Sequence, residues 1–297
     1  MLAEAAVRAA DAGKPSWRSL HGEALRRLGP GCGQVARWFV EEASGGLWPG
    51  VLDDLAPEFA QCVFRTMVSR HRAGEPAQYV LGHWSFRRLD LMVDRRVLIP
   101  RPETETVVEV ALAELNSLDS PFAASPIVVD LGTGSGAIAL SLVAEHASAE
   151  IWATDLSEEA LVVASANLAG LGPAAAGRVH FASGSWWDAL PAGLAGTITL
   201  AVSNPPYVSE AEFAGLPPQI AQWEPRGALV AGQSGLEAVE AIVCTAPAWL
   251  APCSALVVEI APHQAAAART LANEAGFTAV AVGADLTGLE RVLVARP

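Results

Sequence analysis

From Pro126 onward the chain keeps returning to one pattern: a short apolar run, a turn, then a longer stretch with apolar residues at helical spacing. "PIVVDL", "EIWATD", "RVHFAS", "TITLAVS", "ALVVEI" and "ERVLVA" have the length and composition of strands. "AIALSLVAEH", "EEALVVASANLAG", "LEAVEAIV" and "HQAAAARTLANEAG" carry the helical period between them. This alternation predicts an α/β fold, a mostly parallel sheet covered by helices on both faces. In such a sheet, ligands collect beyond the C-terminal ends of the strands.

The preceding segment reads differently. Leu55, Phe59, Cys62, Val63 and Met67 recur at helical spacing, with Gly74 as a stop signal after His71-Arg72. Trp17, Leu20, Ala24, Leu25 and Leu28 form a second stripe, and Val35 to Val40 a third. From Trp84 the period becomes two, through Leu89, Leu91 and Val93 to Val97 and Ile99, as in a hairpin. The expected organisation is a helical domain over 1–83, a β-hairpin linker over 84–99 and an α/β domain over 100–297.

Charge and composition exclude several classes. The 297 residues are 52% hydrophobic and 17% charged, yet two long uncharged runs, 189–209 and 241–258, are broken by prolines. Neither could span a bilayer, so no membrane association is expected. The N-terminus lacks the apolar run of a signal peptide. Cys32, Cys62, Cys244 and Cys253 are scattered, without metal-ligand spacing, as in a reducing cytoplasm. Up to Arg101 there are 14 basic residues against 11 acidic; beyond it, 5 against 21. So acidic a second part argues against direct binding of a nucleic-acid backbone. The mild basic surplus of the first part suits an acidic partner, although most such charges simply solvate a surface.

Two loops carry the chemistry. "VVDLGTGSGAIAL" places Gly132, Thr133, Gly134, Ser135 and Gly136 at a strand-to-helix turn, where glycines allow close approach of a ligand. Taken alone, the loop is equally well a turn or a dinucleotide fingerprint. Asp155 ends the next strand, 19 residues after Gly136, where a carboxylate can accept both ribose hydroxyls or cap the helix near Ser157. Asp130, just before the glycines, suits a cationic ligand rather than a pyrophosphate. S-adenosylmethionine, with its ammonium and sulfonium, therefore fits better than NAD.

The second loop is Asn204-Pro205-Pro206-Tyr207, which leaves the fully apolar strand "TITLAVS". A chain needing only a turn would use Gly, Asp or Ser. Asn204 offers a side-chain carbonyl and Pro205 a peptide carbonyl, two acceptors that can grip both hydrogens of a planar –NH2 group. The prolines hold those acceptors in place, and Tyr207 can pack against a flat amide or base. No nucleophilic triad or metal cluster accompanies them, so catalysis would rest on positioning.

The ordered series "GEPAQYVLG", "VLIPRPETE", "DLGTGSGAIAL", "NPPY" and "EPRGAL" resembles the HemK/PrmC family of protein-glutamine methyltransferases. The resemblance implies a Rossmann-like class I methyltransferase domain behind a small helical substrate-docking domain. It implies transfer of a methyl group from S-adenosyl-L-methionine, leaving S-adenosyl-L-homocysteine. The acceptor would be the glutamine amide in the Gly-Gly-Gln motif of class 1 peptide chain release factors. By position, Gly132 to Gly136 would cradle the methionine end and Asp155 the ribose. Trp186 would lie near the adenine, and Asn204 to Tyr207 would hold the glutamine. Pro100 to Glu105 would wall the site, with Glu224 and Arg226 bracing the catalytic loop. The chain departs from the family at Ser185, Ala231, Ser234 and Ala261, where Asp, Gly, Asp and Gly are usual. Two other readings use the same residues: an adenine-amino methyltransferase acting on nucleic acid, and a non-catalytic S-adenosylmethionine-binding protein.

Overall fold

The computed structural model describes residues 14–117 and 124–297. The chain divides into two compact units, one ending at Gly82 and one running from His83 to Pro297.

In the first unit, α1 (Trp17–Leu28) begins where the Ser16 hydroxyl accepts the Ser19 N–H, a side-chain cap. It packs with α2 (Gly33–Ser44) and α3 (Glu58–Arg72) around Trp17, Leu20, Phe39, Val40 and Phe64. The stripe read from the sequence on α3 is not the buried one. Leu55 precedes the helix, Cys62 is exposed and Phe59 is 81% exposed, whereas Ala60, Phe64, Met67 and Val68 face inward. Both stripes contain Met67 and both have helical spacing; the surfaces of α1 and α2 choose between them. The basic end of α3 is structural. The Arg70 guanidinium donates to both carboxylate oxygens of Glu75 and to the carbonyls of Tyr79 and Val80. It thereby ties the short helix α4 (Ala77–Leu81) to α3.

The second unit opens with an antiparallel hairpin, β1 (His83–Phe86) and β2 (Leu89–Met92). The alternation expected to continue to Ile99 stops at Met92. Val93, Val97 and Ile99 are buried, but from a loop in which the Val97 N–H donates to the Asp94 carbonyl. Burial of alternate residues thus mimics a strand without ladder partners.

There follow α5 (Thr104–Asn116), β3 (Ile127–Leu131), α6 (Ala137–Glu145), β4 (Glu150–Asp155), α7 (Glu158–Ala169), β5 (Val179–Ser183) and β6 (Ile198–Ser203). Two short strands, β7 (Val208–Ser209) and β8 (Val230–Gly232), pair apart from the main sheet. The unit ends with α8 (Glu237–Thr245), β9 (Leu250–Glu259), α9 (Ala265–Glu274), β10 (Ala279–Ala284) and β11 (Glu290–Arg296). The main sheet has the order β10-β11-β9-β6-β3-β4-β5. Its neighbours are parallel from β9 to β5, and β11 and β10 join antiparallel. Every residue of β6 is buried, as expected for a strand covered on both faces. The sequence reading passed over β10, because "AVAVGA" is a half-exposed edge of small residues without a strong apolar signal.

Candidate active site

The chain winds from β3 outward through β4 and β5, then returns to lay β6 on the other side of β3. The crevice between β3 and β6 is therefore the switch point of the sheet. The loop after β3 is the glycine turn, and the loop after β6 is Asn204–Tyr207. The Ser203 hydroxyl donates to the Leu131 carbonyl at 2.6 Å, joining the two strand ends.

Gly132, Gly134 and Gly136 have φ of 77°, 57° and 85°, a region that side chains enter at a cost. The turn is pinned from behind. The Gly132 and Thr133 N–H groups both donate to the Thr154 carbonyl. The Asp130 carboxyl accepts from the Thr133 hydroxyl at 2.7 Å and from the Ala139 N–H at 3.1 Å. Asp130 is fully buried, and burial pushes its carboxyl up to about 7. It does not line the cavity beyond the turn. The charge that the sequence seemed to offer a cationic ligand is instead an internal brace.

That cavity measures about 310 Å³, within the size range of small-molecule sites. Its walls include Thr133, Gly134, Ser135, Asp155, Trp186 and Asn204. Asp155 accepts from the Gly134 N–H at 2.9 Å with one oxygen and from the Ser157 N–H at 2.8 Å with the other. Burial raises its pKa. Ser157, not Asp155, caps α7, accepting the Ala160 N–H. This frees the remaining Asp155 lone pairs for a ligand. Trp186 stands in the left-handed region at φ 46°, and its ring packs so closely on Gly132 that a Cβ there would lie 3.3 Å from it. The neighbouring Trp187 turns the other way, buried against Trp249 with its ring N–H on the Ile242 carbonyl. Leu156, 76% exposed, adds an apolar wall beside Asp155, and Ser185 lines the cavity next to Trp186.

These groups fit S-adenosylmethionine. A Cβ at Gly134 would meet no protein atom within 4 Å, so the space over the turn belongs to the cavity. Asp155 would offer acceptors to ribose hydroxyls, and Trp186 and Leu156 apolar surface to a base. Among the described lining residues the single cation, Arg96, is already engaged by both oxygens of Asp94. A pyrophosphate would find little there to pair with.

A second cavity, about 170 Å³, adjoins the same loop. Pro205, Tyr207, Leu216 and Ile220 line it, Pro206 faces the first cavity, and Asn204 walls both. The loop is anchored at both ends. The buried Gln264 amide donates to the carbonyls of Tyr207 (3.0 Å) and Gly235 (2.9 Å). Gly235 has no room for a side chain, because a Cβ would lie 2.7 Å from the Tyr207 carbonyl. At the other end, Asn204 Nδ2 donates to Thr104 Oγ1 at 3.0 Å, and the Thr104 hydroxyl donates to Glu259 at 2.7 Å. Burial pushes Glu259 up to about 7 and the Tyr207 phenol up to about 12.

Pro100 and Thr104 line the first cavity, while Glu105 accepts the Arg87 N–H. Glu224 is buried, accepting from the Ile99 N–H and from Arg101, so it braces the segment before α5 rather than the Asn204 loop itself. Arg226 lies nearer the surface, paired with Glu210 and stacked over Phe213. Sequence reasoning held Thr104 only as part of the Pro100–Glu105 wall, without its hydrogen bonds, and missed Glu259 and Gln264. The available signal was a carboxylate closing the otherwise apolar "ALVVE".

The family described as methyltransferase small domain matches residues 112–216. Among curated relatives, the release factor glutamine methyltransferase of Xylella fastidiosa is 41% identical over 237 residues, 78% of this chain and 80% of that protein. That of Burkholderia pseudomallei is 42% identical, covering 78% and 79%, and that of Bordetella pertussis 43%, covering 78% and 82%. Among solved structures, the N-terminal domain of human METTL16 in complex with SAH aligns with a TM-score of 0.53 at 14% identity, over 92% of this chain and 96% of that one. The human METTL16 catalytic domain bound to an RNA hairpin gives 0.56 at 14%, over 80% and 81%. At that identity the likeness is one of fold, the class I methyltransferase fold. With curated relatives at this identity matched over most of their length and its own, the chain belongs to the release factor glutamine methyltransferase family.

Proposed function

We propose that the protein methylates the side-chain amide of the glutamine in the Gly-Gly-Gln motif of class 1 peptide chain release factors. The observation that carries this reading is Asn204, standing in the wall between a cavity suited to S-adenosylmethionine and a smaller, mostly apolar one. S-adenosylmethionine supplies a methyl group on a sulfonium, an electrophile that needs no metal.

The chain's own residues hold the acceptor. Asn204 Oδ1 and the Pro205 carbonyl accept the two hydrogens of the glutamine –NH2 and turn its lone pair toward the methyl group. The bound cofactor would supply the methyl group, its sulfur keeping the electron pair of the broken C–S bond, while Asn204 and Pro205 would hold the nitrogen that accepts the methyl and passes a proton to water. Pro205, Pro206 and the Gln264 anchor keep the acceptors from reorganising, which is where preorganised sites gain most of their rate. Tyr207 closes the smaller cavity as a neutral ring. Asp155, Trp186 and the Gly132–Gly136 turn hold the cofactor.

Incubation with methyl-labelled S-adenosylmethionine, a release factor and duplex DNA, followed by location of the label, tests the reading. Label on the Gly-Gly-Gln glutamine supports it. Label on adenine, or none, overturns it.

A further inference from the structure

We propose that Glu259, acting through Thr104, is a positioning residue that fixes which end of the Asn204 amide faces the glutamine. The inference rests on the proposed role of Asn204 and adds two residues to it. An Asn side chain has two ends of nearly equal size, and a half-turn about its last bond exchanges the acceptor for a donor. A donor turned toward the glutamine would repel its –NH2 group, so the grip depends on preventing that half-turn.

The hydrogen bonds decide the orientation. Above about pH 7 Glu259 is ionised and can only accept, so the one Thr104 hydroxyl hydrogen goes to it, across 2.7 Å. Thr104 Oγ1 then presents only lone pairs to Asn204, and the atom that meets it at 3.0 Å must be Nδ2. Among the described residues no group donates to Asn204 Oδ1, which is left for an incoming donor. Rotating the amide would set Oδ1 against Oγ1, two acceptors in contact, and strand a polar hydrogen. Thr104 is 3% and Glu259 1% exposed, so no bulk water competes for these bonds. Glu259 is not among the residues lining either cavity. Its one side-chain hydrogen bond toward the Asn204 loop is the one from Thr104.

Two measurements test this. The first is NMR of the Asn204 side-chain –NH2 in the full-length protein without substrates, assigned by its loss in Asn204→Ser. In the wild type one amide proton should be shifted downfield and protected from exchange. Thr104→Val should abolish both features, and Thr104→Ser, which keeps the hydroxyl, should restore them. The second is single-turnover methylation of release factor. Thr104→Val should be slowed roughly 10- to 100-fold, the usual loss for a residue that orients a contacting group. S-adenosylhomocysteine affinity should stay within about twofold, and Thr104→Ser should be near normal. Glu259→Gln, which can present either end of its own amide to Thr104, should be slowed by an intermediate factor. An unprotected Asn204 amide in the wild type overturns the inference, as does a normal rate in Thr104→Val. If the wild type leaves release factor unlabelled, the proposed function fails, and the amide resonance still decides the orientation.

Discussion

Three side chains divide the work of the site between binding and turnover. Asn204→Ala should fold and bind S-adenosylmethionine with modest loss, because the glycine turn and Asp155 remain. Its single-turnover rate should fall roughly 10²–10³-fold, as when one preorganised hydrogen-bonding group is removed. A near-normal rate would make the Asn-Pro-Pro-Tyr loop structural. Asp155→Ala should do the opposite, weakening cofactor binding by about 1.5–3 kcal/mol, the worth of hydrogen bonds to a charged acceptor, with little change once bound. Calorimetry reads this directly, and unchanged affinity would remove Asp155 from the cofactor site. Glu259 should also govern stability against pH. Burial raises its pKa from 4.5 to about 7, so between those values the folded chain holds a proton that the unfolded chain has lost. Stability from this carboxyl is complete below about pH 4.5 and falls as pH rises toward 7, by at most about 1.4 kcal/mol per unit. Urea unfolding at pH 5 and pH 8 should show a smaller drop for Glu259→Gln than for the wild type. An equal drop would mean that Glu259 titrates as an ordinary carboxylate.

The glycine turn and α3 show what an element adds to its residues. Gly134 and Gly136 look equivalent in the sequence, and both have positive φ. A Cβ at Gly136 would lie 3.0 Å from Leu140 and 3.4 Å from Ala164, whereas one at Gly134 would project into open space. Gly136→Ala should therefore destabilise the fold by more than the roughly 1–2 kcal/mol of the left-handed conformation alone. Gly134→Ala should cost only about that and should chiefly reduce cofactor affinity. Thermal melts and calorimetry on the pair separate the two; equal profiles would mean that the turn has no ligand side. On α3 the buried Phe64, 1% exposed, should cost about 3–5 kcal/mol when cut to Ala. The exposed Phe59 should cost almost nothing, although the sequence stripe chose it.

At the scale of the whole molecule, charge changes what the first unit can be asked to do. Up to Gly82 it carries nine basic and nine acidic residues, so the surplus counted to Arg101 lies in the hairpin and the loop after it. There Arg87, Arg96 and Arg101 are paired with Glu145, Asp94 and Glu224. If the first unit docks release factor, shape rather than charge must provide the contact. Removing residues 1–82 should spare cofactor binding, since the second unit has its own core. It should raise KM for intact release factor, and the increase should respond weakly to salt. Equal KM values for the two proteins would refute a docking role.

Much of this was legible in the chain. Strands β3 to β6 and helices α6 to α9 announced themselves because burial on a sheet or helix repeats with a local period. The glycine turn, Asp155 and Asn204–Tyr207 were legible because each is a short run whose backbone or polar groups have few other uses. What stayed hidden depends on partners distant in sequence. Asp130 was read as facing a ligand because its neighbours are glycines, yet Thr133 and the first turn of α6 claim it. The α3 stripe was misread because period alone cannot say which of two overlapping faces meets another helix. Glu259 lies 155 residues from Thr104, and Thr104 lies 100 from Asn204. Local patterns along the chain specify the elements, the sheet class and the two loops that face each other across the switch point. Which buried polar groups meet is set by the folded arrangement, because such a hydrogen bond depends on the order of strands in the sheet, and no local pattern encodes that order.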